Sequence, residues 1–196
     1  MSMIEKICDQ LVSYSHLCYE RGLVSAAGGN ISIRVPNEDC ILLTPSGFSL
    51  REIDRDCLLG LNSGGERVYG PSDLKPSKEW SMHLAIFSQR AEAGAVIHVH
   101  SPFATGFAVK GEEIPCLTAS SELKLRRVPL VEYAPPGSAD LAAYVAEAVR
   151  KYGEVATAFL LKRHGVLAFG GSISEAFDTV ELLEETAKIV FVSRLI

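Results

Sequence analysis

Two histidines separated by a single residue, His98 and His100, are the first candidates for chemistry in this sequence. They lie in the run AVIHVH, whose composition predicts a short β-strand. Because successive strand side chains point to opposite faces, both imidazoles project from one face while Val99 faces the other way. Such a pair can bind a metal ion such as zinc, or it can be two ordinary histidines near a strand end. A catalytic metal site usually has three protein ligands and an open position, so the metal hypothesis needs a third ligand.

The other three histidines differ in how well they can supply that ligand. His164 is the strongest candidate, because it lies between two strand-like apolar runs and precedes a glycine that lets a ligand approach closely. His16 falls in the predicted first helix, where a role at the surface or at the edge of the core is favoured. His83 follows Glu79 by four residues and could share its helical face, but a packing or supporting role is favoured.

Glu79 is the carboxylate that could complete such a site. It lies in KPSKEW, immediately after a predicted junction between a loop and a helix. A carboxylate there could contact a metal ion, or it could take up and return a proton during catalysis. Taken alone, the position favours the simpler interpretation that the charge stabilises the helix N-terminus.

Three loops rich in small residues could bind an anion. They are AAGGN at 26–30, TPSG at 44–47 and PSK at 76–78. Glycines let backbone N–H groups approach an anion, and hydroxyl groups, the Asn30 amide and the helix start after Ser77 add further donors. Together the loops could bind a phosphate group, whereas each one alone is more often only a turn.

The elements that must position these side chains alternate between helices and strands. Residues 4–21 have the spacing of an amphipathic helix, with Gly22 as its C-cap, and a second helix is predicted behind Pro76 and Ser77. Further helices are predicted from Pro102 to about Lys110, across ADLAAYVAEAVRKYG, and from about Ser174. Strands are predicted in NISIRV, CILL, CLLGLN, AVIHVH, VPLVEY and the pair AFLLKRHGVLAFGG, and NSGGERVYGPS is rich in turn residues. This alternation predicts a layered α/β domain, and the clustered early strands argue against a purely parallel sheet.

Composition limits the class of protein. A chain of 196 residues that is 47% hydrophobic predicts one domain with a sizeable core, and a net charge of −5 argues against nucleic acid as a partner. The N-terminus lacks the apolar segment of a signal peptide, and no apolar run approaches the roughly 20 residues of a membrane span. Five cysteines without CxxC spacing predict small buried hydrophobes in a reducing compartment. We therefore expect a soluble cytoplasmic protein without a membrane partner.

Five blocks of sequence, in this order and approximate spacing, resemble the class II aldolase/adducin family. They are GLVSAAGGNISIR, ILLTPSG, KPSKEWSMHLAIF, AVIHVHSPFAT and LLKRHGVLAFGGSISEAF, and together they extend over nearly the whole chain. The resemblance implies that residues 1–196 form a single class II aldolase/adducin-type domain. Its implied fold is a three-layer α/β/α arrangement around a mainly antiparallel central sheet, commonly assembled as a homotetramer.

The resemblance also implies roles for individual residues. It assigns one divalent metal ion per chain, usually zinc with manganese, cobalt or iron as alternatives, to His98, His100 and His164. It assigns Glu79 as an acid/base carboxylate that can also bind the metal. The implied phosphate-binding positions are Gly29, Asn30, Ser46, Gly47 and Ser77.

Lys78 departs from the family pattern, since the aldolases typically have a serine at this position. An ammonium group can bind a phosphate, or it can neutralise a substrate carboxylate beside the metal. The PSKE pattern, with RRVPLVEYAPPGS and LEETAKIVF, resembles the branch of 3-oxo-tetronate 4-phosphate decarboxylases.

The predicted function is therefore a metal-dependent carbon–carbon lyase for a small phosphorylated sugar or sugar acid, working through a metal-stabilised enediolate. Decarboxylation of a 3-oxo-tetronate 4-phosphate, with Lys78 binding the departing carboxylate, is the first hypothesis. Aldol cleavage of a ketose 1-phosphate such as L-fuculose 1-phosphate is the alternative, and epimerisation or dehydration of a sugar phosphate is less favoured. An adducin-like interaction module is a hypothesis of another class, against which the retention of three histidines and the glutamate argues.

Overall fold

Eight short strands form one mixed sheet in the computed structural model, which describes residues 2–196. The strands are β1 (Asn30–Arg34), β2 (Ile41–Leu43), β3 (Leu59–Leu61), β4 (Arg67–Tyr69), β5 (Ala95–Val99), β6 (Leu130–Val131), β7 (Ala158–Leu161) and β8 (Gly165–Gly170). Their order across the sheet is β4-β3-β2-β1-β5-β8-β7-β6. The β6/β7 pair is parallel and every other pair is antiparallel, which confirms the mainly antiparallel sheet.

Helices cover both faces of this sheet. They are α1 (Met3–Glu20), α2 (Trp80–Gln89), α3 (Pro102–Lys110), α4 (Ala119–Lys124), α5 (Ala139–Tyr152) and α6 (Ile173–Ser193), with two short 3-10 helices at Leu50–Glu52 and Arg55–Cys57. The first helix begins with a capping box, in which Ser2 Oγ accepts from the Glu5 N–H and Glu5 accepts from the Ser2 N–H. Its C-cap is Arg21 rather than the predicted Gly22, which follows with a left-handed φ of 69°.

The period-two alternation of the central strands creates two separate apolar layers. On β5, Ile97 and Val99 pack in the core beneath α1, α3 and α6, while Val96 packs beneath α2 and α5. Phe159 on β7 is fully buried in the second layer. An isolated helix as short as α2, with 10 residues, is marginal in water. Burial of the apolar faces, rather than helix propensity, therefore holds such a helix in place. The three-layer α/β/α fold of one domain is thus confirmed.

Several local predictions differ from the structure. The strand predicted in VPLVEY is reduced to Leu130–Val131, because Pro129 has no N–H for a ladder and Glu132 is exposed beyond it. The second helix begins at Trp80 rather than behind Ser77, and the short helix α4 was not predicted. All five cysteines are free, four of them buried and Cys116 partly exposed. Within residues 2–196, no helix has the length and apolar character needed to cross a membrane.

Candidate metal centre

The three candidate histidines converge at one end of the central strands. His98 is the fully buried penultimate residue of β5, His100 follows that strand, and His164 lies in the turn between β7 and β8. Because β5 pairs with β8, this turn returns to the end of β5. The ring centroid of His98 lies 4.8 Å from the centroid of His100 and 4.7 Å from that of His164. One nitrogen from each ring lies within 4.8 Å of the others, so the convergence that the sequence predicts is present.

Gly165 makes this close approach possible. A Cβ atom at this position would lie 2.5 Å from the Val99 carbonyl oxygen and 2.6 Å from Cδ2 of His100. Real Cβ atoms do not come this close to other heavy atoms, so any side chain would displace a strand end or an imidazole. The glycine after His164 therefore lets the end of β5 and the His100 ring pack closely against this turn.

Glu79 faces the histidines from the opposite side of the site. It occupies the N-cap position of α2, where the helix covers the sheet, and it is 9% exposed. Its Oε2 lies 3.2 Å from His98 Nε2, and its Oε1 lies 3.1 Å from His164 Nε2. Burial alone would raise the pKa of Glu79, but the facing His164 and His98 imidazoles outweigh burial and hold that pKa below its usual range. The carboxylate is therefore ionised at neutral pH.

The arrangement of the ring nitrogens fits a bound cation. His98 Nδ1 lies 2.8 Å from the Val166 carbonyl oxygen, which can only accept, so Nδ1 donates this bond and Nε2 is the ring atom that faces the site. That Nε2 faces both His100 Nε2, at 3.0 Å, and the carboxylate of Glu79. Burial, with the electrostatic influence of the neighbouring His98 and His164 rings, lowers the pKa of His100 to about 4, so the His100 imidazole is neutral near pH 7.

A buried carboxylate oxygen also lacks a hydrogen-bond donor. Oε1 of Glu79 is inaccessible to water and, within residues 2–196, accepts no well-aligned hydrogen bond. Buried acceptors without partners are costly, and a divalent cation would satisfy this oxygen together with the facing nitrogens. Three imidazoles beside a carboxylate are a donor set that suits zinc and its first-row neighbours. The residues present therefore fit a divalent metal ion.

A cavity of about 410 Å³ opens onto this cluster. Its volume is within the range of sites for small molecules. Its lining includes every residue that the sequence analysis associated with phosphate binding: Gly29, Asn30, Ser46, Gly47, Ser77 and Lys78. Glu79, His100 and His164 line the same cavity, so the loops and the histidine cluster share one space.

Backbone contacts bring the three loops together. Pro45 and Pro76 form an isolated antiparallel bridge, Ser46 N–H donates to the Lys75 carbonyl oxygen at 2.9 Å, and Ser77 N–H donates to the Thr44 carbonyl oxygen at 3.3 Å. The 26–30 loop leads directly into β1, where Asn30 lies opposite His98 in the neighbouring strand β5. The loops are thus fixed by the sheet itself.

Lys78 is exposed at the rim of the cavity, next to the buried Glu79. Within the part of the chain from residue 2 onward, no carboxylate lies within ion-pair distance of its ammonium group. The charge is therefore available to an anionic ligand.

The other two histidines lie outside the cluster of ring nitrogens. His16 Nε2 contacts the Ile53 carbonyl oxygen on the α1 side of the molecule. His83 is 3% exposed and hydrogen-bonded to Ser32 and Asn30 beneath Glu79, which agrees with a supporting role. Ser32 was not among the predicted site residues. The signal for it was the alternation in NISIR, which places polar residues on one face of a strand at the centre of the sheet.

Comparisons with known proteins agree with this geometry. The family model for the Class II Aldolase and Adducin N-terminal domain matches residues 9–191. The chain is 32% identical to an L-fuculose phosphate aldolase of Methanococcus maripaludis over 185 residues, covering 93% of this chain and 95% of that protein. It is 33% identical to a 3-oxo-tetronate 4-phosphate decarboxylase of Pectobacterium atrosepticum over 188 residues, covering 93% of this chain and 83% of that protein.

A solved structure shows the same fold. An L-fuculose 1-phosphate aldolase superposes with a TM-score of 0.88 at 31% identity, over 96% of this chain and 86% of that one. Sequence and structure thus lead to one family, in which aldolase and decarboxylase relatives are about equally similar to this chain. The protein is a lyase that belongs to the class II aldolase and adducin family.

Proposed function

We propose that the protein is a metal-dependent carbon–carbon lyase acting on a small phosphorylated sugar or sugar acid. The observation that carries the proposal is the cluster of facing ring nitrogens beside an ionised buried carboxylate, next to a cavity lined by three loops rich in small residues. His98, His100 and His164 would hold the ion, with Glu79 beside it. A divalent cation bound there would supply a Lewis acid that withdraws electrons from a substrate carbonyl.

Zinc is the proposed metal, because imidazole nitrogens with one carboxylate are its usual catalytic ligands; manganese, cobalt and iron are alternatives. An assembly of four chains and a cytoplasmic location are also proposed, from the family resemblance. Light scattering on the purified protein tests the assembly, since a mass of one chain would contradict it.

The loops around the cavity would bind the phosphate. Gly29, Gly47 and Ser46 line the cavity, and the backbone N–H groups of the two glycines and the Ser46 hydroxyl are suitable donors to phosphate oxygens. Gly47 has a φ of 85°, in the left-handed region that glycine adopts readily. Binding the phosphate at the rim would leave the reacting carbons near Glu79.

Decarboxylation of a 3-oxo-tetronate 4-phosphate is the specific reaction proposed. In a 3-oxo acid, loss of carbon dioxide leaves the bonding electron pair on the fragment that carries the carbonyl, and the carbon must then take up a proton. Glu79 is the acid/base group placed to deliver it, and Lys78 would bind the carboxylate before it leaves. The unpaired charge of Lys78 at the rim supports this reaction over aldol cleavage.

Aldol cleavage of a ketose 1-phosphate is the second candidate, supported by the aldolase relatives. In that reaction Glu79 would manage the proton of the fragment that keeps the carbonyl, and no group is needed to bind a carboxylate. Separate incubation with 3-oxo-tetronate 4-phosphate and with L-fuculose 1-phosphate, followed by assays for carbon dioxide and for aldehyde, distinguishes the two.

The Lys78→Ser variant tests the role of the ammonium group. We expect carbon dioxide release to fall by roughly 10- to 100-fold with a smaller effect on any aldehyde release, since one charge-assisted contact to the carboxylate is lost. Lys6→Ser, which removes an exposed lysine of α1 that does not line the cavity, is the matched control. Loss of aldehyde release with intact decarboxylation would contradict the assignment of Lys78.

A further inference from the structure

One face of β1 carries buried polar side chains where a central strand would normally carry apolar ones. Ile31 and Ile33 pack in the core beneath α1, whereas Asn30 and Ser32 point to the opposite face, which α2 covers. Ser32 is completely buried and Asn30 is 5% exposed. Polar groups buried in a sheet are costly unless they are hydrogen-bonded, so their presence requires specific partners.

These partners form a continuous chain of hydrogen bonds that ends on Glu79. Ser32 Oγ lies 2.6 Å from His83 Nδ1, and His83 Nε2 lies 2.5 Å from Asn30 Oδ1. Asn30 Nδ2 then donates to Glu79 Oε2 at 3.0 Å. His83 reaches both strand residues because it lies on the buried side of α2, one turn after Glu79.

The direction of every bond in this chain is determined by the carboxylate. An ionised Glu79 can only accept, so Asn30 must present its amide N–H and keep its Oδ1 for His83. His83 must then donate from Nε2, which leaves a lone pair on Nδ1 for the Ser32 hydroxyl. Only the neutral Nε2–H form of His83 satisfies all three bonds. Burial supports this form, since with the charge of His98 it lowers the pKa of His83 to about 3.

We propose that His83 and Ser32 are positioning residues, which lock the Asn30 amide so that its N–H holds one oxygen of Glu79. The other oxygen, Oε1, accepts no well-aligned hydrogen bond among residues 2–196 and faces His164, so it is the atom left for the metal or for the substrate proton. Without His83, the Asn30 amide could rotate and turn its oxygen toward the carboxylate. This inference rests on the proposed function, because it explains how the acid/base group is kept in place.

Two variants of similar size test the proposal. In His83→Gln the side-chain N–H₂ reaches the position of Nε2 and can still donate to Asn30, whereas the shorter side chain of His83→Asn reaches only the position of Nδ1. We expect His83→Asn to lower kcat by roughly 10- to 100-fold, with KM within about twofold and metal content unchanged, and His83→Gln to restore most of kcat.

His16→Asn removes a comparable contact, to the Ile53 carbonyl oxygen, and should leave kcat unchanged. Equal kcat values for the Gln and Asn variants would overturn the proposal.

A measurement on the metal-free protein tests the orientation without any assay of activity. Nitrogen-15 NMR, with the His83 signals identified by their loss in His83→Asn, should show a protonated Nε2 and an unprotonated Nδ1 from about pH 5 to about pH 8. The opposite tautomer, or a doubly protonated ring at about pH 6, would refute the chain of bonds. If the spectrum agreed while the wild-type protein lacked lyase activity, the proposed function would fail and the orientation of Asn30 would stand.

Discussion

Replacing His83 should change how the stability of the metal-free protein depends on pH. Burial of this ring, together with the charge of His98, lowers its pKa from the ordinary 6.5 to about 3. Between these values the unfolded chain binds a proton that the folded protein does not, so the free energy of unfolding must decrease as pH falls from about 6.5. A pH of about 5 is about 1.5 units below the pKa of the unfolded histidine, and each unit corresponds to about 1.36 kcal/mol. The free energy of unfolding should therefore be about 2 kcal/mol lower near pH 5 than near pH 7.

The assay is urea unfolding of the chelator-treated protein near pH 7 and near pH 5, for the wild type and for His83→Gln. Other titrating groups contribute to the pH dependence of stability in both proteins. The stability lost between pH 7 and pH 5 by the wild type, minus that lost by His83→Gln, therefore isolates the contribution of residue 83. Because pH 5 is about two units above the pKa of the folded ring, the expected difference depends almost only on the unfolded pKa. A wild-type protein that lost no more stability than the Gln variant would show that His83 is not buried in its neutral form.

Three further substitutions test the packing that positions the site. Gly165→Ala would place a Cβ 2.5 Å from the Val99 carbonyl oxygen, and we expect a loss of roughly 1–3 kcal/mol in the free energy of unfolding together with weaker metal binding by equilibrium dialysis. Phe159→Ala, at a fully buried residue of β7, should cost roughly 3–5 kcal/mol by urea unfolding, since it leaves a cavity beneath α2 and α5. Glu184→Gln, whose carboxylate accepts from two N–H groups at the start of α3, should cost roughly 1–3 kcal/mol by the same measurement without altering metal content.

The convergence of the histidines was predictable because strand geometry constrains it. Alternation along β5 fixes the common face of His98 and His100, and a hairpin of two apolar strands returns His164 to the same end of the sheet. The ordered motifs supplied what this geometry alone did not, namely the roles of Glu79 and of the small-residue loops. The antiparallel sheet was likewise expected from the resemblance and from the clustered early strands.

Other features depend on tertiary contacts that no local pattern specifies. Helix α2 begins at Trp80, later than predicted, because backbone contacts with the 44–47 loop hold residues 76–78 outside the helix. The strand at Leu130 pairs only with β7 among the described residues, so its place at the edge of the sheet depends on this one tertiary contact. The link between Ser32 and His83 joins residues 51 positions apart, so it required the packing of α2 on β1 to be known.

Metal content of the purified protein tests the histidine cluster most directly. Inductively coupled plasma mass spectrometry should find about one divalent ion per chain in the wild type, and the ion should be lost in His98→Ala and in His164→Ala. The matched variant His16→Ala, which alters a histidine of α1 that contacts the Ile53 carbonyl oxygen, should retain it. Unchanged metal content in the His98 and His164 variants would contradict the assignment of the metal centre.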